Sequence, residues 1–207
     1  MEPRHTDPLD SAAPHDPSAR QRLLQAAAEI FDRKGYASAS VREVVEHAGV
    51  TKPVLYYYFG SKQGLLLAIL ETGARDLALA VAAAGARAGT IRERVGNVCM
   101  AVHTLIRARS SEMRVSHATY FTAAELLPTF DFHQLDRTIV GELERLLRQG
   151  IESGELRPVS STDAALAILG VLLLTIDQEV LRRDDRLDEA GLQRVLDLVF
   201  DGLRRTP

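Results

Sequence analysis

Wherever glycine and proline do not interrupt this chain, its apolar residues recur at offsets of three and four, and no stretch alternates at two. A stripe of that period buries one side of an α-helix and does not fit a pleated sheet, so the pattern predicts an all-α protein. Start and stop signals fall where helices need them. Ser18 with Gln21 has capping-box spacing, Leu23, Leu24, Ala27, Ile30 and Phe31 share the face that follows, and Gly35 ends it. Ser40 with Glu43 repeats the box ahead of Val41, Val44, Val45 and Ala48, and Gly49 supplies a left-handed turn residue. Thr51 is placed to cap a third helix ending near Phe59, with Pro53 in its first turn, where a missing N–H costs nothing. Two short helices about a tight turn at Gly49 and Val50 have the spacing of a helix-turn-helix.

Beyond residue 61 the predicted helices lengthen, over 61–86, 91–108, 112–126, 132–154, 161–183 and 188–205, making about nine in all. Residues 164–174 are apolar on every side, which a helix tolerates only when covered all round. Leu192, Val195, Leu196, Val199, Phe200 and Leu203 form a stripe on the last helix, so helices eight and nine are expected to join a second copy of the chain. A chain of 207 residues has room for one large domain or two small ones. The division read from the sequence is a tail at 1–17, a helix-turn-helix domain at 18–62 and a larger helical domain at 63–207. The tail holds four of the eight prolines and little apolar surface to offset its ordering entropy, and is expected to be mobile.

The net charge of −3 argues against a nucleic-acid partner until its distribution is counted. Residues 18–62 carry seven basic and four acidic side chains, whereas 1–17 and 63–207 each sum to −3. The longest uncharged apolar run, residues 164–176, is 13 residues long, short of the roughly 20 that cross a bilayer. No apolar stretch follows the first five residues, so a cytoplasmic chain is expected, with no membrane span and no secretion. Cys99 is the single cysteine, and no Cys/His set has zinc-site spacing; neither a metal nor a cofactor is expected. A Gly-rich phosphate loop, a nucleophile elbow and a metal box are likewise missing from the sequence, which argues against an enzyme.

The segment TKPVLYYYFGSK, residues 51–62, packs three tyrosines and two lysines into a two-turn helix and its exit. Such a helix has an inner side for Val54 or Leu55 and Phe59 at most, so Lys52 and some of Tyr56, Tyr57 and Tyr58 must face outward, where phenol and ammonium donate to phosphates or touch base edges. Packing between helices one and four is the alternative for each tyrosine, with Tyr57 leaning to contact. Lys62 starts the next helix, where free N–H groups favour a phosphate.

Over residues 23–67 the chain resembles the DNA-binding domain of the tetracycline-repressor (TetR) family of bacterial regulators. The match runs in order through Ala27, Phe31, Gly35-Tyr36, Ser40-Val41, Val44, Ala48-Gly49-Val50-Thr51, Leu55-Tyr56, Tyr58-Phe59, Ser61-Lys62 and Leu65. The resemblance implies that Thr51, Lys52, Tyr56, Tyr57 and Tyr58 face DNA, that Lys62 binds a phosphate, and that Ser40 and Arg42 lie near the DNA backbone. Pro53, among them, stands where many relatives have glycine and bars close backbone approach. Gly64 replaces an acidic residue common after the Ser-Lys pair, and is expected to weaken the cap of helix four.

By the same resemblance the larger domain encloses an effector pocket and forms the dimer. Met100, His103, Arg107, His117, Tyr120 and Phe121 are its candidate lining, with ordinary core packing and surface histidines as the alternative for each. The implied function is a homodimeric regulator, a repressor of a palindromic operator released by a small molecule. A ligand-independent DNA-binding or architectural protein is the alternative, and an all-helical enzyme a more remote one.

Overall fold

The computed structural model describes residues 17–122, 130–131, 133–178 and 188–203, with the backbone alone at 17 and 120–122. The tail at 1–16 lies outside them. The described elements are nine helices: α1 Pro17–Lys34, α2 Val41–Ala48, α3 Lys52–Phe59, α4 Lys62–Gly85, α5 Ile91–Ala108, α6 Ser110–Thr122, α7 His133–Glu152, α8 Ser161–Ile176 and α9 Glu189–Leu203. The bounds of α1 to α5 fall within two residues of the positions read from the sequence, α8 ends at Ile176, and the ends expected for α6 at 126 and for α8 at 183 lie outside the described residues. No helix among these residues is long and apolar enough to cross a membrane, and no group of His, Cys, Asp or Glu is arranged to hold a metal ion.

The first helix corrects one expectation. It begins at Pro17, so Ser18 lies inside it, and the Ser18 hydroxyl accepts from Arg22 Nη1 at 2.7 Å. The capping box read at Ser40 and Glu43 is present, and two caps not read from the sequence join it: Thr90 with Glu93 forms a full capping box ahead of α5, and Ser160 Oγ accepts from Asp163 N ahead of α8.

The helices divide into two compact units, cut within α4 between Gly73 and Ala74. The first holds α1 to α3, the N-terminal half of α4 and nearly all of α6. Its core is Leu23, Ala27, Ile30 and Phe31 of α1, Val44 and Val45 of α2, Leu55 of α3, and Leu65, Leu66 and Ile69 of α4. α6 is tied to α1 by a two-pronged ion pair, in which Arg114 Nε and Nη2 donate to the Asp32 carboxylate at 2.8 and 2.6 Å.

The second unit holds the rest of α4 with α5, α7, α8 and α9. Val95, Val98 and Val102 of α5 pack with Leu143, Leu146 and Leu147 of α7, Ala165, Ile168 and Leu172 of α8, and Leu192, Leu196 and Phe200 of α9. The all-round apolar character of α8 is therefore only half used within the subunit. Leu166, Leu173 and Leu174 are exposed, and on α9 Leu198 is 71% exposed. Leu196 and Phe200, which the sequence assigned to a partner surface, are instead buried in their own subunit. On α9 the residues two positions from Leu196 lie roughly opposite it, since each residue turns about 100°.

Candidate nucleic-acid interface

The turn between α2 and α3 is built from local hydrogen bonds. Ser40 Oγ accepts from Glu43 N at 3.2 Å while Glu43 Oε2 accepts from Ser40 N at 2.9 Å, so each residue satisfies a donor that the helix start leaves open. Gly49 follows in the left-handed region, φ 64° and ψ 39°, which favours glycine, and Val50 N donates back to Val45 O at 3.0 Å to close the end of α2. Two contacts pin this turn to α1. Arg22 Nε donates to Ala48 O at 3.1 Å, and His47 Nε2 lies 2.7 Å from Glu29 Oε2.

α3 has two dissimilar sides. At about 100° per residue, Lys52, Pro53, Tyr56 and Tyr57 share one face, and Val54, Leu55, Tyr58 and Phe59 share the opposite one. Burial follows that division: Val54 and Leu55 are in the core, whereas Lys52 and Pro53 are exposed and Tyr56 and Tyr57 are 49% and 55% exposed. Tyr58 departs from the expectation that all three tyrosines face outward. It is half-buried on the inner side, its ring edge-on to Tyr57 at 5.1 Å and tilted to Phe59 at 6.1 Å. Phe59 in turn carries the Arg20 guanidinium over its ring at 5.5 Å.

Thr51 occupies the cap position of α3, but its side chain makes no cap hydrogen bond. The reason lies in its neighbours: Pro53 has no N–H to offer, and Val54 N already donates to Thr51 O at 3.2 Å. Ser40 and Arg42 lie on the exposed side of α2, where Arg42 Nε donates to Glu46 Oε1 at 2.6 Å.

At the start of α4, Ser61 Oγ accepts from Gly64 N at 2.9 Å, so the first turn is capped despite the glycine. The glycine itself is required by space. A Cβ at position 64 would sit 2.0 Å from Phe59 O, the backbone at the end of α3. Lys62 does not extend freely from this turn. Its ammonium donates to Ala37 O at 3.3 Å and lies 4.4 Å from the centre of the Tyr36 ring. Burial lowers its pKa, and the Glu43 carboxylate acts in the opposite direction. Tyr36, Arg20 and Gly64 are the residues whose roles the sequence did not reveal; Tyr36 stands in the motif, but its partner is 26 positions away and the pattern carries no trace of the contact.

Glu43 is the most strongly shifted acid of this surface. Its hydrogen bond from Lys34 and those from Ser40 hold its carboxyl down to about 2, against an ordinary 4.5. A depressed carboxylate stabilises the fold above its unfolded pKa and loses that contribution as pH falls through its folded one. Glu43→Gln should therefore unfold at lower denaturant than wild type at neutral pH, and the gap should close as pH falls from about 4.5 to about 2. Urea midpoints of the two proteins across that range measure it, and a gap independent of pH contradicts the ion-pair account.

The candidate effector residues separate. Met100 is half-buried. His103 and Arg107 stand one turn apart on α5, the first 1% exposed in the core of the second unit and the second exposed. His117 is exposed on α6, in the first unit, and the side chains of Tyr120 and Phe121 lie outside the described residues.

Residues 23–69 match the family model for bacterial regulatory proteins of the tetR family. The chain is 50% identical over 52 residues to the HTH-type transcriptional activator FasR of Mycolicibacterium smegmatis, a match covering 25% of this chain and 24% of that protein. To the HTH-type transcriptional repressor AcnR of Corynebacterium glutamicum it is 26% identical over 194 residues, covering 91% of this chain and 94% of the relative. Among solved structures, the TetR family transcriptional regulator PfmR from Thermus thermophilus matches with a TM-score of 0.70 at 27% identity, over 89% of this chain and all of that one. The 52-residue match spans about a quarter of the FasR protein's own length, whereas the likeness to AcnR and PfmR runs through nearly the whole chain.

Proposed function

The chain belongs to the TetR family of bacterial regulatory proteins, and from that premise we propose that it acts as a homodimeric transcription factor, a repressor bound to a palindromic operator and released by a small effector. The observation that carries the DNA-binding part is the outer face of α3. Lys52, Pro53, Tyr56 and Tyr57 present an ammonium and two phenols to solvent, a donor-rich face that the buried Val54 and Leu55 on the other side hold in place. A helix of this size enters the major groove, where such donors reach base edges and phosphates. Thr51, Ser40, Arg42 and Lys62 flank that face and are assigned to the DNA backbone, which positions the helix without reading sequence. Tyr58 contributes by packing.

Two-fold symmetry supports the dimer. Half-sites about one helical turn apart, roughly 34 Å, require two recognition helices related by a dyad. The exposed leucines of α8 and α9 are the surface we assign to the second copy. The effector is assigned an apolar or aromatic body with one polar or anionic group; it must bind the released conformation more tightly, because equal affinity for both states shifts nothing. The sign of regulation is part of the proposal, since one relative is named an activator and the other a repressor.

The test is a footprint on the DNA upstream of the protein's own gene, repeated with a panel of metabolites. Protection of one short palindrome, lifted by a panel member, is the expected result; protection without sequence preference favours an architectural protein instead. On that palindrome Tyr57→Ala should change the ranking of operator variants, by about 1 kcal/mol or more at the base pair it contacts. A uniform loss across all variants would place Tyr57 on the backbone rather than on a base.

A further inference from the structure

The start of α4 and the connection between α1 and α2 meet at one side chain. The α1–α2 connection brings Tyr36 up against Phe31, ring centres 5.3 Å apart at 81°, an edge-to-face contact that fixes the tyrosine ring against the core of α1. Lys62 Nζ lies over that ring, 4.4 Å from its centre, and the neighbouring carbonyl of Ala37 accepts one of the ammonium's hydrogens at 3.3 Å. A lysine carries three donors on a four-carbon stem with considerable rotamer freedom, and a phosphate contact made by a freely rotating stem loses part of its strength to ordering it. Here two of the constraints are already in place before DNA arrives.

We infer that Tyr36 is a positioning residue for DNA binding: its ring and the Ala37 carbonyl hold the Lys62 ammonium at the first turn of α4 with a donor left for a backbone phosphate. This rests on the reading of Lys62 as a phosphate contact given above. Three features of the structure argue for positioning over mere packing. The ammonium sits over the ring face, where the quadrupole attracts a cation, rather than at its edge. Lys62 as a whole is only partly buried, and an ammonium has three hydrogens, of which Ala37 O takes one. Ser61 Oγ takes the N–H of Gly64, so the helix start is already capped on that side and does not depend on the lysine.

The experiment uses the full chain and a random-sequence duplex long enough to span two half-sites, with affinity measured as a function of salt. Lys62→Ala should lower the salt slope by roughly two, one for each subunit of the dimer. Tyr36→Leu should weaken binding about three- to tenfold at low salt, and the Tyr36→Leu/Lys62→Ala pair should bind no more weakly than Lys62→Ala alone. Because Tyr36→Leu also removes the contact with Phe31, a second series keeps the shape: Tyr36→Phe as reference, then phenylalanines with increasing fluorination at position 36. Affinity should fall stepwise with fluorination, as the ring face loses its negative potential, and the steps should vanish in a Lys62→Ala background. An unchanged slope in Lys62→Ala removes the phosphate contact itself, and the inference with it. A lowered slope in Lys62→Ala with a flat fluorine series, or with additive effects of the two substitutions, keeps the phosphate contact and overturns the role of Tyr36.

Discussion

One added methyl group at Gly64 is expected to destabilise the DNA-binding unit by up to roughly 2 kcal/mol and to weaken operator binding sharply by shifting the end of α3. Two effects oppose each other at this position. Alanine is about 1 kcal/mol better than glycine inside a helix, which favours the substitution. Against it, the new Cβ would lie 2.0 Å from Phe59 O and 3.2 Å from the carbonyl carbon behind it. The obstacle is backbone at the end of the recognition helix, so no rotamer change relieves it; the α3–α4 turn must move, and with it the angle at which Lys52, Tyr56 and Tyr57 are presented. Overpacking of that kind costs roughly 1 to 3 kcal/mol and outweighs the gain in propensity. Gly73 is the control. It lies in the same helix with nothing within 4 Å of its added Cβ, so Gly73→Ala should stabilise by up to about 1 kcal/mol. Urea unfolding and operator titration of the two variants should move in opposite directions, and a Gly64→Ala protein as stable as wild type would show that the turn is not constrained by this contact.

Leu174→Glu combined with Leu198→Glu should convert the proposed dimer to a folded monomer and lower operator affinity by at least about a hundredfold, the scale set by losing the linked second half-site. Both leucines are more than half exposed on the subunit alone, so the charges meet water in the monomer and are penalised only where a second copy covers them. Leu196→Glu is not an equivalent experiment. That side chain is 1% exposed, and a carboxylate placed there unfolds the second unit whether or not a dimer exists. Sedimentation velocity at micromolar concentration, with circular dichroism to establish that the double variant is folded, separates the cases; a double variant that remains dimeric places the interface elsewhere.

The contrast between Leu196 and Leu198 marks the limit of what periodicity conveys. Offsets of three and four identify α9 and its apolar side, yet Leu196 and Leu198 are both leucines on one helix, and the pattern cannot say which is buried within the subunit and which is exposed. Tyr56, Tyr57 and Tyr58 pose the same problem at the recognition helix. Three identical residues in a row carry no periodic signal, and only the packing of α3 on α1 and α2 turns Tyr58 inward and leaves the other two in solvent.

What this sequence determined by itself was everything that depends on near neighbours in the chain: the nine described helices, the capping boxes at Ser40 and Thr90, the left-handed Gly49, and a recognition helix rich in donors. Those features rest on interactions spanning four residues or fewer, so their cause is written in consecutive letters. What only the tertiary structure decided were the contacts between distant positions, such as Lys62 on Tyr36 and Arg114 on Asp32. Each depends on the angle at which one helix crosses another, and that angle is set jointly by many side chains that pack to crystal-like density, which no local pattern encodes.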